Sequence, residues 1–127
     1  MYLVDDDRFL LDLYAVKFKN AGHDVSSFSG GEELLAALRK ENTTMPDAIL
    51  IDVIMPSMTG FETVETIRKE GLAKGAKIIF LSNQGQDSDV EEAKKLTVDG
   101  YIIKAAAIPS EVLAETERII KGGAAHS

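Results

Sequence analysis

The chain has 127 residues, a length that suits a single domain with one core. It contains no cysteine, so disulfides and thiolate metal sites are excluded. Its 14 basic and 21 acidic side chains give a net charge of −7, which argues against nucleic acid binding because that requires a basic patch. No apolar run approaches the length of a membrane span, so we expect no membrane contact and a cytoplasmic location.

The first third of the chain predicts two strands and two helices. Residues 1–4 form a short apolar run typical of a buried strand. The next residues recur at helical spacing and predict a helix from Arg8 to Gly22, with an apolar side made by Leu10, Leu13, Tyr14 and Phe18. Residues 23–27 are mostly polar, so we place a weak second strand at an edge of the sheet. Ser29 and Glu32 have the spacing of a capping box, which predicts the start of the second helix.

The centre of the chain is an apolar run that ends in a carboxylate. The residues between Asp47 and Asp52 are all apolar, and their number is too small for a helix. This pattern predicts a strand buried on both faces, in the middle of a parallel sheet. Thr59 and Glu62 form a second capping-box pattern, which predicts that the third helix begins there.

The last third continues the alternation of strand and helix. Residues 77–81 and 101–103 are apolar runs that predict strands, followed by Ser82 and Lys104 respectively. The helix between them has a thin apolar side, so we expect it to be loosely held. Pro109 suits the first turn of a final helix. Five strand–helix units in succession predict an α/β domain with a parallel sheet covered on both faces.

The polar residues that follow the predicted strands point to phosphoryl chemistry. The carboxyl ends of parallel strands meet at one edge, which would gather Asp5, Asp6, Asp52, Ser82 and Lys104. Neighbouring carboxylates raise one another's pKa unless positive charge compensates them. Lys104 supplies one positive charge, and a divalent cation would supply the rest. The all-oxygen ligand set favours Mg²⁺ or Mn²⁺. With a phosphoryl donor, Asp52 becomes a candidate nucleophile.

These motifs, taken in order, resemble a response-regulator receiver domain of two-component signalling along the whole chain. The segments that carry the resemblance are the acidic pair Asp5 and Asp6, the segment of Asp52 with Pro56 and Gly60, the hydroxyl position Ser82 after Leu81, the aromatic position Tyr101, and Lys104.

The resemblance implies a fold, a boundary and a set of ligands. The fold would be a doubly wound (βα)5 domain with the flavodoxin-like strand order 2-1-3-4-5, over residues 1–123, with a disordered tail at 124–127. Asp52 would accept a phosphoryl group from a histidine kinase or a histidine phosphotransfer protein. Mg²⁺ would be held by Asp6 and Asp52 directly, by Asp5 mainly through water, and by the backbone carbonyl of Ile54.

The resemblance also implies a switch. Ser82 and Lys104 would each bond a phosphoryl oxygen, and Tyr101 would turn into the space that the hydroxyl vacates. The face formed by the fourth helix, the fifth strand and the fifth helix would then change shape and bind a downstream protein. Such a chain is not an enzyme beyond its own phosphorylation and dephosphorylation. Whether it acts alone or as a piece of a longer regulator or hybrid kinase stays open.

Four residues depart from the family pattern or tune it. Ala105 stands where the family usually has proline, so we expect a trans Lys104–Ala105 bond, because a cis bond without proline costs about 3 kcal/mol. Asn83 is larger than the usual residue and would hinder access to the site or add a hydrogen bond. Ile54 and Gln84 occupy the positions that tune phosphoryl lifetime. The apolar Ile54 cannot orient water, which predicts slow self-dephosphorylation.

Three alternatives were weighed against the switch. A hydrolase with an aspartyl-phosphate intermediate usually carries an acid two residues after the nucleophile, where this chain has Ile54. A flavin-binding domain would need a phosphate-cradling loop after the first strand, where residues 5–7 are all aspartate. A receiver-like module that is never phosphorylated stays open because of Asn83 and Ala105. Among the aspartates, Asp7 fits a plain helix-capping role best.

Overall fold

A computed structural model describes residues 1–40, 45–82, 87–104 and 108–122, with only the backbone of residues 87–89. Strands and helices alternate through these residues in the order β1 (Tyr2–Val4), α1 (Arg8–Asn20), β2 (Ser26–Phe28), α2 (Gly31–Arg39), β3 (Ala48–Asp52), α3 (Gly60–Glu70), β4 (Lys77–Ser82), α4 (Asp87–Lys95), β5 (Gly100–Ile103) and α5 (Pro109–Ile120).

The strands form one parallel sheet in the order β2-β1-β3-β4-β5, which confirms the predicted fold and strand order. All five residues of β3 are buried, as expected for a central strand. Asp52 is in register with Leu81 of β4, and Phe80 is in register with Tyr101 of β5. The carboxyl ends of β3, β4 and β5 therefore lie side by side at one edge of the sheet.

The core lies on both faces of the sheet because side chains alternate along each strand. Ile49 and Ile51 of β3 pack on one face with the apolar sides of α2 and α3. Ala48 and Leu50 pack on the other face with α1 and α5. Each helix thus buries one stripe against the sheet, as the sequence periodicity predicts.

Helix α3 begins with the predicted capping box. The Thr59 hydroxyl accepts a hydrogen bond from the Glu62 amide at 3.1 Å, and the Glu62 carboxylate accepts one from the Thr59 amide at 2.9 Å. The helix ends at Gly71, whose φ of 68° lies in the left-handed region that suits glycine. These two caps define where α3 begins and ends.

Two local predictions in the first third of the chain are wrong. The residue before α2 is Gly30, in extended conformation, so Ser29 stands one position too early to cap the helix. The Ser29 hydroxyl instead donates to the Glu33 carboxylate at 2.6 Å. Strand β2 lies later than predicted, at Ser26–Phe28, because pairing with β1 sets its register.

The buried side of α1 also differs by one residue from the prediction. Leu13 is exposed, and Leu11 and Ala15 are buried beside Tyr14 and Phe18. A helix of this sequence has apolar residues on two sides, and spacing alone does not say which side meets the sheet.

The second half of the chain follows its predicted pattern. In α4, Ala93 is buried but Val90 and Leu96 are only half-buried, in keeping with a thin apolar side. Pro109 occupies the first turn of α5, and Glu111 accepts a hydrogen bond from the Ile108 amide at 3.0 Å. Among the described residues, no helix has the length and apolar character needed to cross a membrane.

Candidate functional site

The carboxyl edge of the sheet carries the predicted polar residues. Asp5 and Asp6 directly follow β1, Asp52 is the last residue of β3, Ser82 is the last residue of β4, and Lys104 directly follows β5. The buried apolar residues of β1, β3, β4 and β5 fix the register of these strands, and this register brings the polar residues at their carboxyl ends together.

Lys104 lies between two buried carboxylates. Its ammonium nitrogen is 3.0 Å from Asp5 Oδ2 and 3.4 Å from Asp52 Oδ2. Asp5 is 1% exposed, Asp52 is 6% exposed, and the Lys104 side chain is 5% exposed. Charges this deeply buried are costly unless they are paired, so the three groups depend on one another.

The loop after β1 orients Asp5 and separates its role from that of Asp7. The second oxygen of Asp5, Oδ1, accepts a hydrogen bond from the Asp7 amide at 2.9 Å. The Asp7 carboxylate accepts a hydrogen bond from the Leu10 amide at 3.2 Å and caps α1. Asp7 therefore has the plain capping role that the sequence predicts for it.

Burial dominates the electrostatics of the site. Burial and the nearby Asp5 carboxylate raise the pKa of Asp52 from 3.8 to about 6, against the opposing effect of Lys104. For Lys104, burial lowers the pKa, but the charges of Asp52 and Asp5 outweigh it, and the net pKa is raised. At neutral pH Lys104 is charged and Asp52 is mostly ionised, so the carboxylate is available as a nucleophile.

The three carboxylates fit a hard divalent cation. One oxygen each from Asp5, Asp6 and Asp52 lies within 4.8 Å of the others, and Asp6 is exposed while the other two are buried. One lysine leaves a net negative charge among three carboxylates. A ligand set made only of oxygen atoms with one solvent-facing member is the kind that Mg²⁺ binds while keeping several waters.

The predicted switch residues lie on adjacent strands. Ser82 is buried at the end of β4, one residue beyond the register partner of Asp52. Tyr101 of β5 is half-buried, and its ring lies 6.4 Å from the ring of Phe80 in an edge-on arrangement. Phe80 in turn stacks edge-on against Phe61 of α3 at 5.1 Å. Tyr101 thus occupies the end of a row of aromatic rings near the site.

Ile54 is exposed beside Asp52, whereas three other predicted site residues lie outside the described part of the chain. The Ile54 amide donates to Asp52 Oδ1 over 3.4 Å, so the backbone at this position contacts the carboxylate. The Ile54 side chain is 67% exposed. Asn83, Gln84 and Ala105, and with them the Lys104–Ala105 bond, fall outside the described residues.

Gly60 positions Asp52 in a way that its sequence motif does not reveal. A Cβ atom at Gly60 would stand 2.4 Å from the carbonyl oxygen of Asp52 and 3.0 Å from Val53 Cα. The Gly60 amide also donates to the Val53 carbonyl at 2.8 Å. Only glycine lets the start of α3 approach the backbone of Asp52 this closely.

Tyr14 lies near the site, although the sequence placed it only on the apolar side of the first helix. Its side chain is almost fully buried on α1, and helical side chains point towards the helix N-terminus. That direction is towards Asp5 and Lys104. Burial raises the pKa of Tyr14, and the charges of Lys104 and Asp5 influence it in opposite directions. The spacing of Tyr14 from Asp7, two helical turns, is the signal that would have suggested this proximity.

Large apolar side chains are exposed near the same edge. Phe9 in the first turn of α1 is 75% exposed, and Ile108 before α5 is also exposed. Further along α1, Leu13 and Val16 continue the exposed row at helical spacing. An exposed apolar row beside a charged crevice is a feature typical of binding surfaces.

Comparison with known proteins identifies one family. The family model for the response regulator receiver domain matches residues 1–115. The alkaline phosphatase synthesis transcriptional regulatory protein PhoP of Bacillus subtilis is 31% identical over 119 residues, covering 94% of this chain and 47% of that protein. The regulatory protein VanRc of Enterococcus gallinarum is 30% identical over 115 residues, covering 91% and 47%. The chain spans about half the length of these relatives.

Solved structures share the fold. The chemotaxis protein CheY4 of Vibrio cholerae superposes with a TM-score of 0.82 at 29% identity, covering 93% of this chain and 95% of that chain. The response regulator DrrB of Thermotoga maritima superposes with a TM-score of 0.79 at 25% identity, covering 95% of this chain and 52% of that chain.

Proposed function

Because this chain belongs to the response regulator receiver domain family of two-component systems, we propose that it is a signalling switch phosphorylated on Asp52. The single observation that carries the proposal is the Lys104 ammonium held between the buried carboxylates of Asp5 and Asp52. Buried charge of this kind costs stability, and a phosphoryl acceptor with a neutralising lysine gives a reason for it.

In the proposed reaction, a carboxylate oxygen of Asp52 forms a bond to phosphorus. The phosphorus–nitrogen bond of the donor's phosphohistidine breaks, and the imidazole leaves with the electron pair. The pKa of about 6 supports this role, because about 90% of Asp52 is then ionised near pH 7. Lys104 bonds one oxygen of the transferred group and exchanges one carboxylate contact for it.

The proposed cofactor is Mg²⁺, or Mn²⁺ in its place. Asp5, Asp6, Asp52 and the Ile54 carbonyl would hold it, with Asp5 acting mainly through water. When bound, the ion supplies positive charge that neutralises the phosphoryl oxygens. The support for this ligand set is the proximity of the three carboxylates and the unbalanced negative charge that they leave.

We further propose that Ser82 and Tyr101 couple phosphorylation of Asp52 to a change at the protein surface. The Ser82 hydroxyl bonds a phosphoryl oxygen, and Tyr101 turns towards the vacated space. The surface of α4, β5 and α5 then binds a downstream protein differently. The position of Tyr101 at the end of a row of packed rings supports this, because a rotation there changes the adjoining surface.

Phosphoryl lifetime is proposed to depend on Ile54, Asn83 and Gln84. Ile54 is exposed beside Asp52 and has no polar group with which to orient an attacking water. We therefore propose slow self-dephosphorylation and no other enzymatic activity. The trans form of the Lys104–Ala105 bond stays a prediction.

The proposed phosphodonor is a histidine kinase or a histidine phosphotransfer protein. Its histidine must come within bonding distance of Asp52, so it has to contact the surface around the carboxyl edge. The exposed apolar row of Phe9, Leu13 and Val16 supports docking on α1. Neither nucleic acid nor a membrane is a proposed direct partner.

The proposed domain comprises residues 1–123, of which the family model matches 1–115. The tail at 124–127 lies outside the described residues. Because the chain spans about half of its relatives' length, any output activity joined to it belongs to the proposal as well. A cytoplasmic location stays a prediction.

The decisive experiment is incubation with acetyl phosphate and Mg²⁺ followed by intact-mass measurement. We expect the chain to gain one phosphoryl group, and Asp52→Ala to gain none. Asp12→Ala is the matched control, because Asp12 is an exposed aspartate of α1 away from the carboxylate cluster, and it should gain one group. Chelation of the metal should abolish the gain. No gain in the unmodified chain would favour a receiver-like module that works without phosphorylation.

A further inference from the structure

The loop that follows Asp52 has few buried side chains of its own. Residues 53–59 connect β3 to α3, and only Val53 and Met55 among them are fully buried. This loop carries the Ile54 carbonyl, which is one of the proposed metal ligands. A segment with so little buried surface is positioned mainly by the elements at its two ends.

The end of the loop at α3 lies directly against the backbone of Asp52. The Gly60 amide donates to the Val53 carbonyl at 2.8 Å, which joins the two ends of the loop. A Cβ atom at Gly60 would stand 2.4 Å from the Asp52 carbonyl oxygen, so the two backbones are already in close contact. A shift of Gly60 would therefore move the Asp52 and Val53 carbonyls or break the hydrogen bond between them and α3.

Phe61 packs this end of α3 onto the sheet. Its ring lies edge-on against the ring of Phe80, with the ring centroids 5.1 Å apart and the planes at 79°. Phe80 is fully buried in β4 and is in register with Ile51, the residue before Asp52. An edge-on ring pair at this distance is attractive beyond the area that it buries. The contact therefore holds the first turn of α3 at the level where β3 ends.

We propose that Phe61 is a positioning residue for the metal-binding loop, because its contact with Phe80 fixes Gly60, and Gly60 fixes the backbone on both sides of the loop. The inference rests on the proposed function, since it gives Phe61 a part in the binding of Mg²⁺. Phe61 has no side-chain atom that could ligate the ion, so it acts only through the backbone. Substitution of residues that orient metal ligands lowers metal affinity by about 10- to 100-fold.

Phe61→Ala tests the contact before any metal is added. The first measurement is hydrogen exchange of backbone amides by NMR. We expect the Gly60 amide to exchange about tenfold faster, because its hydrogen bond to Val53 loses the packing that holds it. Amides of residues 66–70 in the same helix should change much less. Phe61→Leu, which keeps an apolar side chain without the ring, should show the same local effect at a smaller size.

The second measurement is the affinity for Mg²⁺ alone, by titration calorimetry. We expect Phe61→Ala to weaken Mg²⁺ binding about tenfold and Phe61→Leu about threefold. Phe28→Ala is the matched control, because Phe28 is also half-buried and packs edge-on against a ring, that of Tyr2, at 5.0 Å. This control keeps the Phe28 carbonyl, which accepts from the Asp5 amide at 3.1 Å. It should leave Mg²⁺ affinity within about twofold.

The two measurements separate failure of the inference from failure of the proposed function. Equally faster exchange along the whole of α3 in Phe61→Ala would mean general loosening of the helix and would overturn the inference. Unchanged Mg²⁺ affinity in Phe61→Ala, or an equal loss in Phe28→Ala, would also overturn it. Absence of Mg²⁺ binding by the unmodified chain would overturn both the inference and the proposed cofactor. Absence of phosphoryl gain would contradict the proposed function alone, because neither measurement uses a phosphodonor.

Discussion

Charged side chains are buried at one edge of the sheet and partly exposed to solvent at the other. At the carboxyl edge, Asp5, Asp52 and Lys104 are buried together, and the pKa of Asp52 rises to about 6. At the amino edge, the ion pairs His23–Glu117 and Lys77–Asp99 stand at 2.9 and 4.0 Å with their side chains partly in solvent. The exposed pairs contribute little to stability, whereas the buried group depends on exact charge balance. Burial, and not the number of ion pairs, distinguishes the edge that carries the proposed site.

The largest expected effect follows from removing the cation at the carboxyl edge. Lys104→Met leaves two buried carboxylates without their partner, so we expect a loss of about 3 kcal/mol in the free energy of unfolding. Lys77→Met at the amino edge should cost less than about 1 kcal/mol. Urea unfolding of both variants without metal measures the difference. Mg²⁺ should restore part of the loss in Lys104→Met, and equal losses in the two variants would contradict the contrast between the edges.

The next effect is a gain in stability when Asp52 loses its charge. The folded chain holds the Asp52 proton up to a pH of about 6, whereas the unfolded chain releases it near 3.8. Stability of the unmodified chain therefore falls as pH rises between these values, and ionised Asp52 costs the folded state about 3 kcal/mol at neutral pH. The raised pKa already includes the attraction of Lys104, so Asp52→Asn should recover most of that cost, a gain of about 2 kcal/mol near pH 7.

Unfolding curves of Asp52→Asn at several pH values test the sign as well as the size. The advantage of the variant should shrink towards zero as the pH falls to about 4. Mg²⁺ should stabilise the unmodified chain more than the variant, because one carboxylate ligand is gone. A variant less stable than the unmodified chain at neutral pH would show that the Lys104 contact outweighs the burial of Asp52.

A smaller gain is expected at the amino edge from relief of backbone strain. Thr97 adopts a φ of 55°, which is unfavourable for a side chain branched at Cβ. Thr97→Gly should therefore raise the free energy of unfolding by about 1 kcal/mol. Thermal unfolding measures this, and a loss of stability would mean that the bond from the Thr97 hydroxyl to the Leu96 carbonyl, at 2.7 Å, matters more than the strain.

The smallest effect is expected from an exposed ion pair. Glu117→Gln removes the charge opposite His23, and both side chains are partly solvated. We expect a change of less than about 0.5 kcal/mol in the free energy of unfolding at neutral pH. The shift in Tm should accordingly stay within a few degrees. A change in the free energy of unfolding as large as that of Lys104→Met would contradict the contrast between the two edges.

The sequence predicted the elements that depend on contacts between neighbouring residues or on a periodic apolar pattern. The apolar run ending at Asp52 could only be a strand buried on both faces, and the capping box of Thr59 and Glu62 required nothing beyond its own four residues. The convergence of Asp5, Asp52 and Lys104 followed from parallel strands alone. The resemblance supplied the strand order and the assignment of roles.

What the sequence could not predict depends on contacts between distant segments. The buried side of α1 was misplaced at Leu13 because two of its sides are apolar and only packing chooses between them. Ser29 matched the capping pattern, but Gly30 took the cap position. The Arg68 guanidinium donates hydrogen bonds to the Leu96 and Thr97 carbonyls, 28 and 29 residues away in the chain, and no sequence pattern indicates such a contact. Gly60 was placed at the start of the third helix and in the segment of Asp52, but its close approach to the Asp52 carbonyl depends on how these two segments pack.

The close contact at Gly60 also gives the chain a practical use as a sensor. The amide of Gly60 bonds the Val53 carbonyl, so the loop between them is tied at its base, and Ser57 projects from it into solvent. The chain has no cysteine, so Ser57→Cys would give a single attachment point for a thiol-reactive dye. A fluorophore there would lie a few residues from Asp52 on a loop with fixed ends. It could follow occupancy of the site in real time without labelling the partner.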